Sequence, residues 1–574
     1  MPPSVSSPVA RATVPRDRAA TDGTLPIDSA RVVDDESALH WDWRCDVLVV
    51  GFGAAGASAA IAAHESGAKT LIVERFDGGG ATARSGGIVY GGGGTEQQRR
   101  ADVHDSPDAM FRYLQMETGD AVSAATLRRF CDDSRGLVAW LESLGVSFDT
   151  DADKLKLQPK TSYPKNGIYL YYSGNEAVKE YAAVAEAAPR GHRARGTGLF
   201  SGKTLFERLR ARVVGLGLRV LPQSGVHRLI VDRSNKVLGV ELRQLADGSK
   251  AAQQHRKLLR RAEAVHNIAA GWADRLRARA IAIELSEAKT VFVRAQRGVV
   301  LSTGGFIFNR AMVAQHAPKF LAPARLGATG CDGSGIRLGE SVGGVPARLD
   351  KVSAWRFINP PVNWPEGIVV NLQGERFCNE QVYGAKLGVQ MCEHQNGRAW
   401  LIIDRRARRA AIREALFGGL WAFQGIPALL LMAFAPRGTT AQVLAAKIGL
   451  PPAALKHSIE RYNDGVRRKQ DALGKSAALL KELSGPYYAL DISAASRSFP
   501  CPAITLGGLR INEDSGAVLD AQGQDIEGLY AAGRTAIGIA SNSYISGLSI
   551  ADCLWSGRRA GRAAAGGGAL QAVA

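Results

Sequence analysis

Apolar and polar positions in residues 45–74 predict a strand, a turn, a helix and a second strand, in that order. An apolar run at 47–50 leads into a glycine-rich turn, an alanine-rich stretch follows, and a second apolar run ends on an acid. The turn spells GxGxxG, in which the first glycine allows the tight bend, the second lets the backbone approach a pyrophosphate and the third lets helix pack on strand. The sequence therefore predicts a dinucleotide-binding unit at Gly51, Gly53, Ala54, Ala55 and Gly56.

The same unit supplies a candidate ribose ligand. The N-terminus of its helix offers free N–H groups and a positive dipole end to phosphates. Glu74 stands where a carboxylate accepts hydrogen bonds from a ribose diol, and an acid there argues against the 2′-phosphate of NADP. The motif leaves FAD and NAD open. In a chain with 65 glycines, a glycine turn without a ligand is the alternative.

Later patterns predict a mixture of helices and strands. Helical periodicity covers residues 106–148 and 203–220, and a β-hairpin covers 225–242 with its turn at 233–235. A strand at 299–301 then leads into Thr303 and Gly304. The aromatic residues of segment 160–176 predict a packed hairpin or loop or, alternatively, one wall of an apolar pocket; they are Tyr163, Tyr169, Tyr171 and Tyr172.

Composition describes a large globular chain with two or more domains, since it has 574 residues of which 46% are hydrophobic. Residues 1–40 are rich in Pro, Ser, Asp and Arg without apolar periodicity or a secretory segment, which predicts a disordered tail. A second tail is expected at 566–574. The seven cysteines contain no CxxC pair and the ten histidines no ligand spacing, so we expect no metal site and a reducing cytoplasm.

The formal net charge of +18 raises the question of an anionic partner. Much of the excess is spread over helices and tails, but one basic helical stretch stands out at 255–284, within an apparent insertion at 250–285. It lacks the interleaved aromatic residues of a nucleic-acid reader, so we expect no nucleic acid. A solvated insertion is the favoured interpretation, and contact with a membrane or partner is the alternative.

Residues 416–435 form an uncharged apolar stretch of the length that crosses a bilayer. Gln424, Pro427 and three glycines interrupt it. A buried element of a soluble domain is the favoured interpretation, and an exposed apolar lip at the entrance of a hydrophobic site comes second. A membrane span is the least favoured, and peripheral membrane contact stays open.

The second glycine-rich segment, 77–94, makes the chain similar to a known family. The order GxGxxG, Glu-Arg, then GG-x-T-x-x-SGG ending at Gly87 resembles the flavoproteins of the fumarate reductase and 3-ketosteroid dehydrogenase superfamily, in which this loop lines the isoalloxazine. Residues 370–380 resemble the start of that superfamily's substrate-covering cap, and GLYAAG at 528–533 resembles its second FAD segment. The resemblance spans most of residues 45–561 and implies FAD as the cofactor.

The resemblance implies an α/β fold in which a Rossmann-like FAD-binding domain carries an inserted, substrate-covering α+β cap domain. The implied boundaries are 41–325 for the first FAD segment, 326–497 for the catalytic cap and 498–565 for the second FAD segment. The implied cofactor contacts, beyond the five residues of the first turn, are Glu74, Arg75, Ala81, Thr82, Ser85, Gly86, Gly87, Val226, Thr303, Gly304, Gly533, Arg534, Gly547, Leu548, Ser549 and Ile550.

The residues after the GLYAAG strand separate the branches of this superfamily. Its fumarate reductases follow that glycine with an acid, and then with a His and an Arg that clamp a dicarboxylate. Here Arg534 follows, and residues 537–547 contain neither His nor Arg, so a small dianion lacks its paired cations. The YxSG segment with Tyr544 and Ser546 resembles the Δ4-(5α) branch of 3-ketosteroid dehydrogenases. Tyr383, in an NE-x-x-Y segment, would be the third member.

This branch implies a 3-oxo-5α-steroid 4-dehydrogenase acting on an apolar 3-ketosteroid. Tyr544, with a backbone N–H near Gly547, would bind the C3 ketone. Ser546 would take the C4 proton and, because a serine hydroxyl is a poor base, would need a relay such as Tyr383; which of the two is the base stays open. Trp355, Phe357 and Gly547 are candidate substrate contacts. The alternatives are a Δ1-dehydrogenase, a reductase of an unsaturated acid and a flavin-free binder of apolar ligands; the electron acceptor is unknown.

Overall fold

The computed structural model describes residues 23–34, 36–148, 169–196 and 201–566, so Tyr163 and the last eight residues lie outside the described part. The α-helices are α1 (Ala54–Glu65), α2 (Gly80–Ala83), α3 (Glu96–Arg100), α4 (Pro107–Thr118), α5 (Ala124–Ser143), α6 (Lys179–Ala182), α7 (Gly202–Gly215), α8 (Lys250–Val265), α9 (Ala270–Glu287), α10 (Arg310–His316), α11 (Ser334–Glu340), α12 (Gly384–His394), α13 (Arg405–Phe417), α14 (Ala422–Ala433), α15 (Ala441–Ile448), α16 (Pro452–Arg467) and α17 (Leu548–Ala564).

The strands are β1 (Arg31–Val32), β2 (Trp43–Val50), β3 (Thr70–Val73), β4 (Ile88–Tyr90), β5 (Leu170–Tyr171), β6 (Gly191–Arg193), β7 (Arg219–Leu221), β8 (Ser224–Val231), β9 (Val237–Gln244), β10 (Lys289–Leu301), β11 (Ala324–Arg325), β12 (Pro346–Ala347), β13 (Val352–Ala354), β14 (Ile368–Val370), β15 (Trp400–Asp404), β16 (Arg437–Gly438), β17 (Tyr487–Asp491), β18 (Pro502–Thr505), β19 (Gly508–Leu509), β20 (Ala517–Leu519) and β21 (Asp525–Ala531). The predicted β-hairpin is confirmed as β8 and β9, and the helical periodicity of 106–148 as α4 and α5.

A central sheet brings the two ends of the chain together. Its parallel part runs β21-β10-β2-β3-β7, and the first half of β10 continues it in antiparallel pairing with β9. Residues 47–50 of β2 and 71–73 of β3 are continuous apolar runs because both faces of the sheet are covered there. The predicted α/β class with a Rossmann-like unit is confirmed.

Helix α1 and helix α17 pack closely although nearly 500 positions separate them in the chain. A Cβ atom at Gly557 would lie 2.3 Å from the Ala55 carbonyl oxygen, and one at Gly561 would lie 2.1 Å from that of Ala59. Only glycine allows this approach. The C-terminal helix therefore presses the phosphate-binding helix against the sheet.

The middle of the chain builds a second layer. Strands β14, β15, β17 and β16 form an antiparallel sheet with α15 and α16 packed on one side around their own apolar core. Strand β18, after this region, pairs with β11 and β13, before it. Both connections to the FAD-binding part therefore run through one small sheet. The exact domain boundaries stay predictions.

Three expectations need correction. The disordered tail predicted over 1–40 is wrong from residue 23 onward, where Leu25 is buried and β1 pairs with β8. The helix predicted over 203–220 ends at Gly215, and β7 begins four residues later, because Gly217 adopts a positive φ of 70°. The basic insertion is a helical hairpin, α8 and α9, but it is not merely solvated, since His255 and Glu284 on it are buried.

Candidate active site and cofactor cavity

A cavity opens at the carboxyl ends of β2, β3 and β10, beside the N-terminus of α1. Its lining is mostly apolar with a few polar groups, as is typical of ligand pockets. The sequence-predicted contacts that line it are Gly51, Gly53, Ala54, Ala55, Glu74, Arg75, Ala81, Thr82, Val226, Thr303, Gly304 and Arg534. Segments predicted separately therefore meet at one cavity, as expected at the switch point of an open α/β sheet.

The glycine turn has the geometry that its motif predicts. Gly51 has φ +98°, and a Cβ there would lie 2.8 Å from the Ser302 carbonyl oxygen. A Cβ at Gly56 would lie 1.9 Å from the Gly51 carbonyl oxygen, which explains its role in packing rather than in lining the cavity. The Thr82 hydroxyl accepts from the Ala54 N–H at 3.0 Å and ties the second glycine loop to the first.

Glu74 is fixed by the turn that it follows. One carboxylate oxygen accepts from the Phe52 N–H at 2.7 Å and the other from the Phe76 N–H at 2.8 Å. Burial raises the pKa of Glu74, although both backbone donors oppose that shift. Each oxygen retains a lone pair for a ribose hydroxyl. The carboxylate thus shapes the glycine turn as well as facing the cavity.

Arg75 lines the cavity, but its guanidinium is held in ion pairs. Its Nε lies 3.0 Å from a Glu284 oxygen and its Nη1 lies 2.9 Å from Asp332. His255 contacts the other Glu284 oxygen at 2.7 Å. Burial would raise the pKa of Glu284, but Arg75 and His255 outweigh it, and that pKa is lowered. The basic hairpin α8–α9 therefore fixes the position of Arg75, just after β3, through buried polar contacts. Sequence patterns did not indicate this role.

The other predicted cofactor contacts do not line this cavity; they are Ser85, Gly86, Gly87, Gly533, Gly547, Leu548, Ser549 and Ile550. The Ser85 hydroxyl donates to the Thr82 carbonyl within its own loop. Gly547 caps α17 with φ +89°, and its carbonyl accepts from the Tyr90 N–H. Their contact with a cofactor stays a prediction.

The two proposed catalytic tyrosines lie in one aromatic cluster with the two aromatic residues predicted to contact substrate. The Tyr544 ring lies 4.7 Å from that of Trp355, and the Tyr383 ring packs edge-on against Phe357 at 5.1 Å. Trp355 and Phe357 contact each other at 6.1 Å. Tyr544 is also within electrostatic range of Arg534, which lines the cavity. The aromatic cluster therefore adjoins the cofactor cavity.

Ser546 has a hydroxyl partner that the sequence motifs did not name. The Tyr171 hydroxyl donates to Ser546 Oγ at 2.7 Å, and both side chains are buried. Tyr171 pairs with Gly191 across β5 and β6, where a Cβ would lie 2.8 Å from the Tyr171 ring. The partner of β5 lies outside segment 160–176, so this pairing does not test the hairpin predicted there, whereas the Ser546 contact places Tyr171 at the candidate site.

Segment 171–176 holds the remaining parts of the site together, and we call it the clasp. The Ser173 carbonyl accepts from the Ser546 N–H at 2.9 Å, and Asn175 Oδ1 accepts from the Tyr383 N–H at 2.8 Å. Asn175 Nδ2 donates to Glu117 at 2.7 Å, and the other Glu117 oxygen accepts from Ser543 at 2.6 Å. The clasp thus links the cap tyrosine to the loop that carries Tyr544 and Ser546.

Comparison with known proteins shows the family to which the chain belongs. The family model of the FAD binding domain matches residues 46–547. A 3-oxo-5-alpha-steroid 4-dehydrogenase from Comamonas testosteroni is 44% identical over 523 residues, covering 88% of this chain and 96% of the relative. The chain belongs to the FAD-binding family. Its cofactor is FAD.

Two further relatives extend the comparison. The crystal structure of a 3-ketosteroid-delta4-(5alpha)-dehydrogenase from Rhodococcus jostii RHA1, in complex with 4-androstene-3,17-dione, matches with a TM-score of 0.76 and 30% identity, over 94% of this chain and all of that one. A 3-oxosteroid 1-dehydrogenase from Mycolicibacterium smegmatis is 28% identical, over 87% of this chain and 93% of the relative. The fold is therefore that of flavoprotein dehydrogenases.

The cavity fits FAD by its own chemistry as well. Its glycine turn has no room for side chains, and the buried Nη1 of Arg534 has no hydrogen-bond partner among the described residues, so it can donate to a cofactor acceptor. Several lining residues escaped sequence analysis: Leu25, Phe52, Phe76, Ser302, Cys331, Ala532 and Cys553. Ala532 and Cys553 flank predicted segments, whereas Leu25 lay in an expected tail and gave no local signal.

Proposed function

We propose that this protein is an FAD-dependent 3-oxo-5α-steroid 4-dehydrogenase, which removes hydrogen from C4 and C5 of a saturated 3-ketosteroid to give the 4-en-3-one. The observation that carries the proposal is Ser546, hydrogen-bonded to Tyr171 and two residues from Tyr544, next to an aromatic cluster beside the FAD cavity. An aromatic surface suits a flat apolar substrate. The 44% identity to a 4-dehydrogenase supports the same assignment.

The proposed catalytic residues have two tasks, polarising the C3 ketone and transferring the C4 proton. Tyr544, with a backbone N–H near Gly547, binds the C3 ketone and stabilises negative charge on its oxygen as the neighbouring C4 proton leaves. Ser546 takes that proton while its own hydroxyl proton passes to the Tyr171 oxygen, with the hydrogen bond between the two hydroxyls reversed from the direction in the structure, and Tyr171 releases its hydroxyl proton towards solvent. Tyr383 remains a second relay candidate. FAD, when bound, supplies the acceptor for the hydride that leaves C5.

The alternatives draw less support. The Δ1-dehydrogenase relative is 28% identical, against 44% for the 4-dehydrogenase. A reductase of small dicarboxylates would need paired cations, and residues 537–547 contain no His or Arg. Membership of the FAD-binding family disfavours a flavin-free binder.

We also propose a cytoplasmic location, an external electron acceptor that reoxidises the cofactor, and peripheral membrane contact. Among the described residues, no helix is both long enough and apolar enough to cross a bilayer. Residues 416–435 instead turn back on themselves as the end of α13, a short connection and α14.

An anaerobic titration tests the proposed activity. The purified, FAD-loaded protein is titrated with a saturated 5α-3-ketosteroid while flavin absorbance is followed and the product is identified. Bleaching with formation of the 4-ene is the expected result. A 1-ene product would move the enzyme to the Δ1 class, and no bleaching of FAD-loaded protein would refute steroid oxidation.

A further inference from the structure

The hairpin of helices α13 and α14 has one anchored face and one exposed apolar face. Ala428, Leu431 and Met432 are buried against the cap. The other side presents five large apolar side chains to solvent, with exposed fractions of 82% for Phe417 and Phe434, 57% for Ile426, 56% for Leu416 and 44% for Leu430. A monomeric protein seldom concentrates such residues in one place without a partner.

A row of positive charge runs into this apolar face. Arg405, Arg409 and Arg413 follow one another at intervals of four along α13, so they share a side of the helix with Leu416. All three are exposed, and no acidic side chain among the described residues forms an ion pair with them. Two other arginines of the same helix do have partners. Arg406 forms an ion pair with Glu366, and Arg408 donates to the Met432 carbonyl oxygen.

The hairpin also lies beside the candidate active site. Trp421, in the connection between α13 and α14, stacks under the Arg193 guanidinium at 4.6 Å. Arg193 belongs to β6, which pairs with the strand that carries Tyr171. The connection of the hairpin therefore lies next to the strand pair that carries Tyr171, the hydrogen-bond partner of Ser546.

We propose that the α13–α14 hairpin binds the protein to an anionic lipid surface. Its apolar side chains enter the boundary between headgroups and acyl chains, and the three arginines contact anionic headgroups. This composition, cationic along α13 and apolar along α14, favours an anionic bilayer over a second protein. Transfer of a membrane-dissolved substrate to the site rests on the proposed steroid activity, whereas lipid binding does not.

Vesicle co-sedimentation tests the proposal with the full-length, FAD-loaded protein. We expect binding to phosphatidylcholine vesicles that contain phosphatidylglycerol, and binding that is at least tenfold weaker when phosphatidylglycerol is omitted or salt is raised. The double variant F417S/F434S should lose at least tenfold in affinity for the mixed vesicles. The matched control V214S, an exposed apolar residue on α7, should bind like wild type. Absence of wild-type binding, or unchanged binding of F417S/F434S, would overturn the proposal.

Competing occupants give different results. Ile268 and Trp272, at the tip of the basic α8–α9 hairpin, are also exposed; loss of vesicle binding in I268S/W272S, with F417S/F434S unaffected, would move the surface there and overturn the proposal. A dimer that F417S/F434S converts to a monomer, without wild-type vesicle binding, would assign the face to a second copy. Retained FAD and turnover of detergent-dissolved steroid in F417S/F434S exclude misfolding. A wild type that binds vesicles but oxidises no steroid would refute only the activity.

Discussion

The FAD cavity and the proposed catalytic site are neighbours built in different ways. Most of the cavity's phosphate and ribose end comes from one continuous block, residues 51–82, organised by backbone hydrogen bonds to Glu74 and Thr82. The catalytic site joins Tyr171, Tyr383 and Ser546 from three distant parts of the chain through the clasp. The first is specified locally and the second by tertiary packing. Substitutions should therefore separate loss of cofactor from loss of chemistry.

Ser546→Ala should have the largest effect on turnover. Removing the group that takes the C4 proton is expected to lower kcat by about 10²–10⁴-fold, while the protein stays folded and yellow because the Ser546 backbone contact to Ser173 is kept. Anaerobic flavin reduction and FAD content measure the two properties separately. Full activity in this variant would remove Ser546 from the mechanism.

Tyr171→Phe and Tyr383→Phe, compared side by side, identify the relay. The hydrogen bond from Tyr171 to Ser546 predicts the larger loss for Tyr171→Phe, about 10–100-fold in kcat with an altered pH profile. Tyr383→Phe keeps the backbone bond to Asn175 and should lose less. The reverse order would assign the relay to the cap tyrosine.

Asn175→Ala should disconnect the two halves of the catalytic site. It removes one acceptor from the Tyr383 N–H and one donor from Glu117; leaving buried groups unpaired should cost about 1–3 kcal/mol of unfolding free energy and about tenfold in kcat. Denaturant unfolding and steady-state kinetics measure both. Glu117→Gln is the control, since its carbonyl still accepts from Asn175 and its amide can donate to Ser543. Equal losses in both variants would contradict a positioning role.

The same contrast explains what the sequence could predict. Gly56 and Glu74 act through residues of the same block, 51–82, so their spacing in the sequence indicates their roles. Tyr544, Ser546 and Tyr383 were found by resemblance alone, and their residue types carry no local signature. Tyr171 was visible only as one aromatic among several, and Glu117 and Asn175 gave no signal. Their function depends on contacts across 58 to 375 positions of sequence, which no local pattern encodes.

Glu74→Gln probes the locally specified site. The amide keeps one oxygen for a backbone N–H but presents an NH₂ group to the other, either Phe52 or Phe76. We expect the free energy of FAD binding to weaken by about 1 kcal/mol, which corresponds to roughly fivefold lower affinity. The kcat at saturating FAD should be unchanged. Titration of the apoprotein with FAD measures the affinity. A fall in kcat at full occupancy would show that the two sites are not separable.

Glu176→Gln should leave turnover almost intact and change only how stability depends on pH. Burial raises the pKa of Glu176, in the clasp, to about 7, although the Gly174 N–H that donates to its carboxylate opposes the shift. Between the ordinary carboxyl pKa of about 4.3 and 7, the folded state holds a proton that the unfolded chain has released, so wild-type stability falls as pH rises through this window. Glutamine resembles the protonated acid and abolishes that slope.

Denaturant unfolding at pH 5 and pH 8 measures the difference in unfolding free energy between wild type and Glu176→Gln. Relative to wild type, Glu176→Gln should gain on the order of 1–3 kcal/mol of unfolding free energy at pH 8 and much less at pH 5. Exposed Glu186→Gln should show no such gain. A parallel pH dependence of wild type and Glu176→Gln would mean that the clasp tolerates a buried carboxylate charge. Hydrogen bonds alone would then hold the catalytic site together, in the same way that backbone hydrogen bonds to Glu74 hold the cofactor turn.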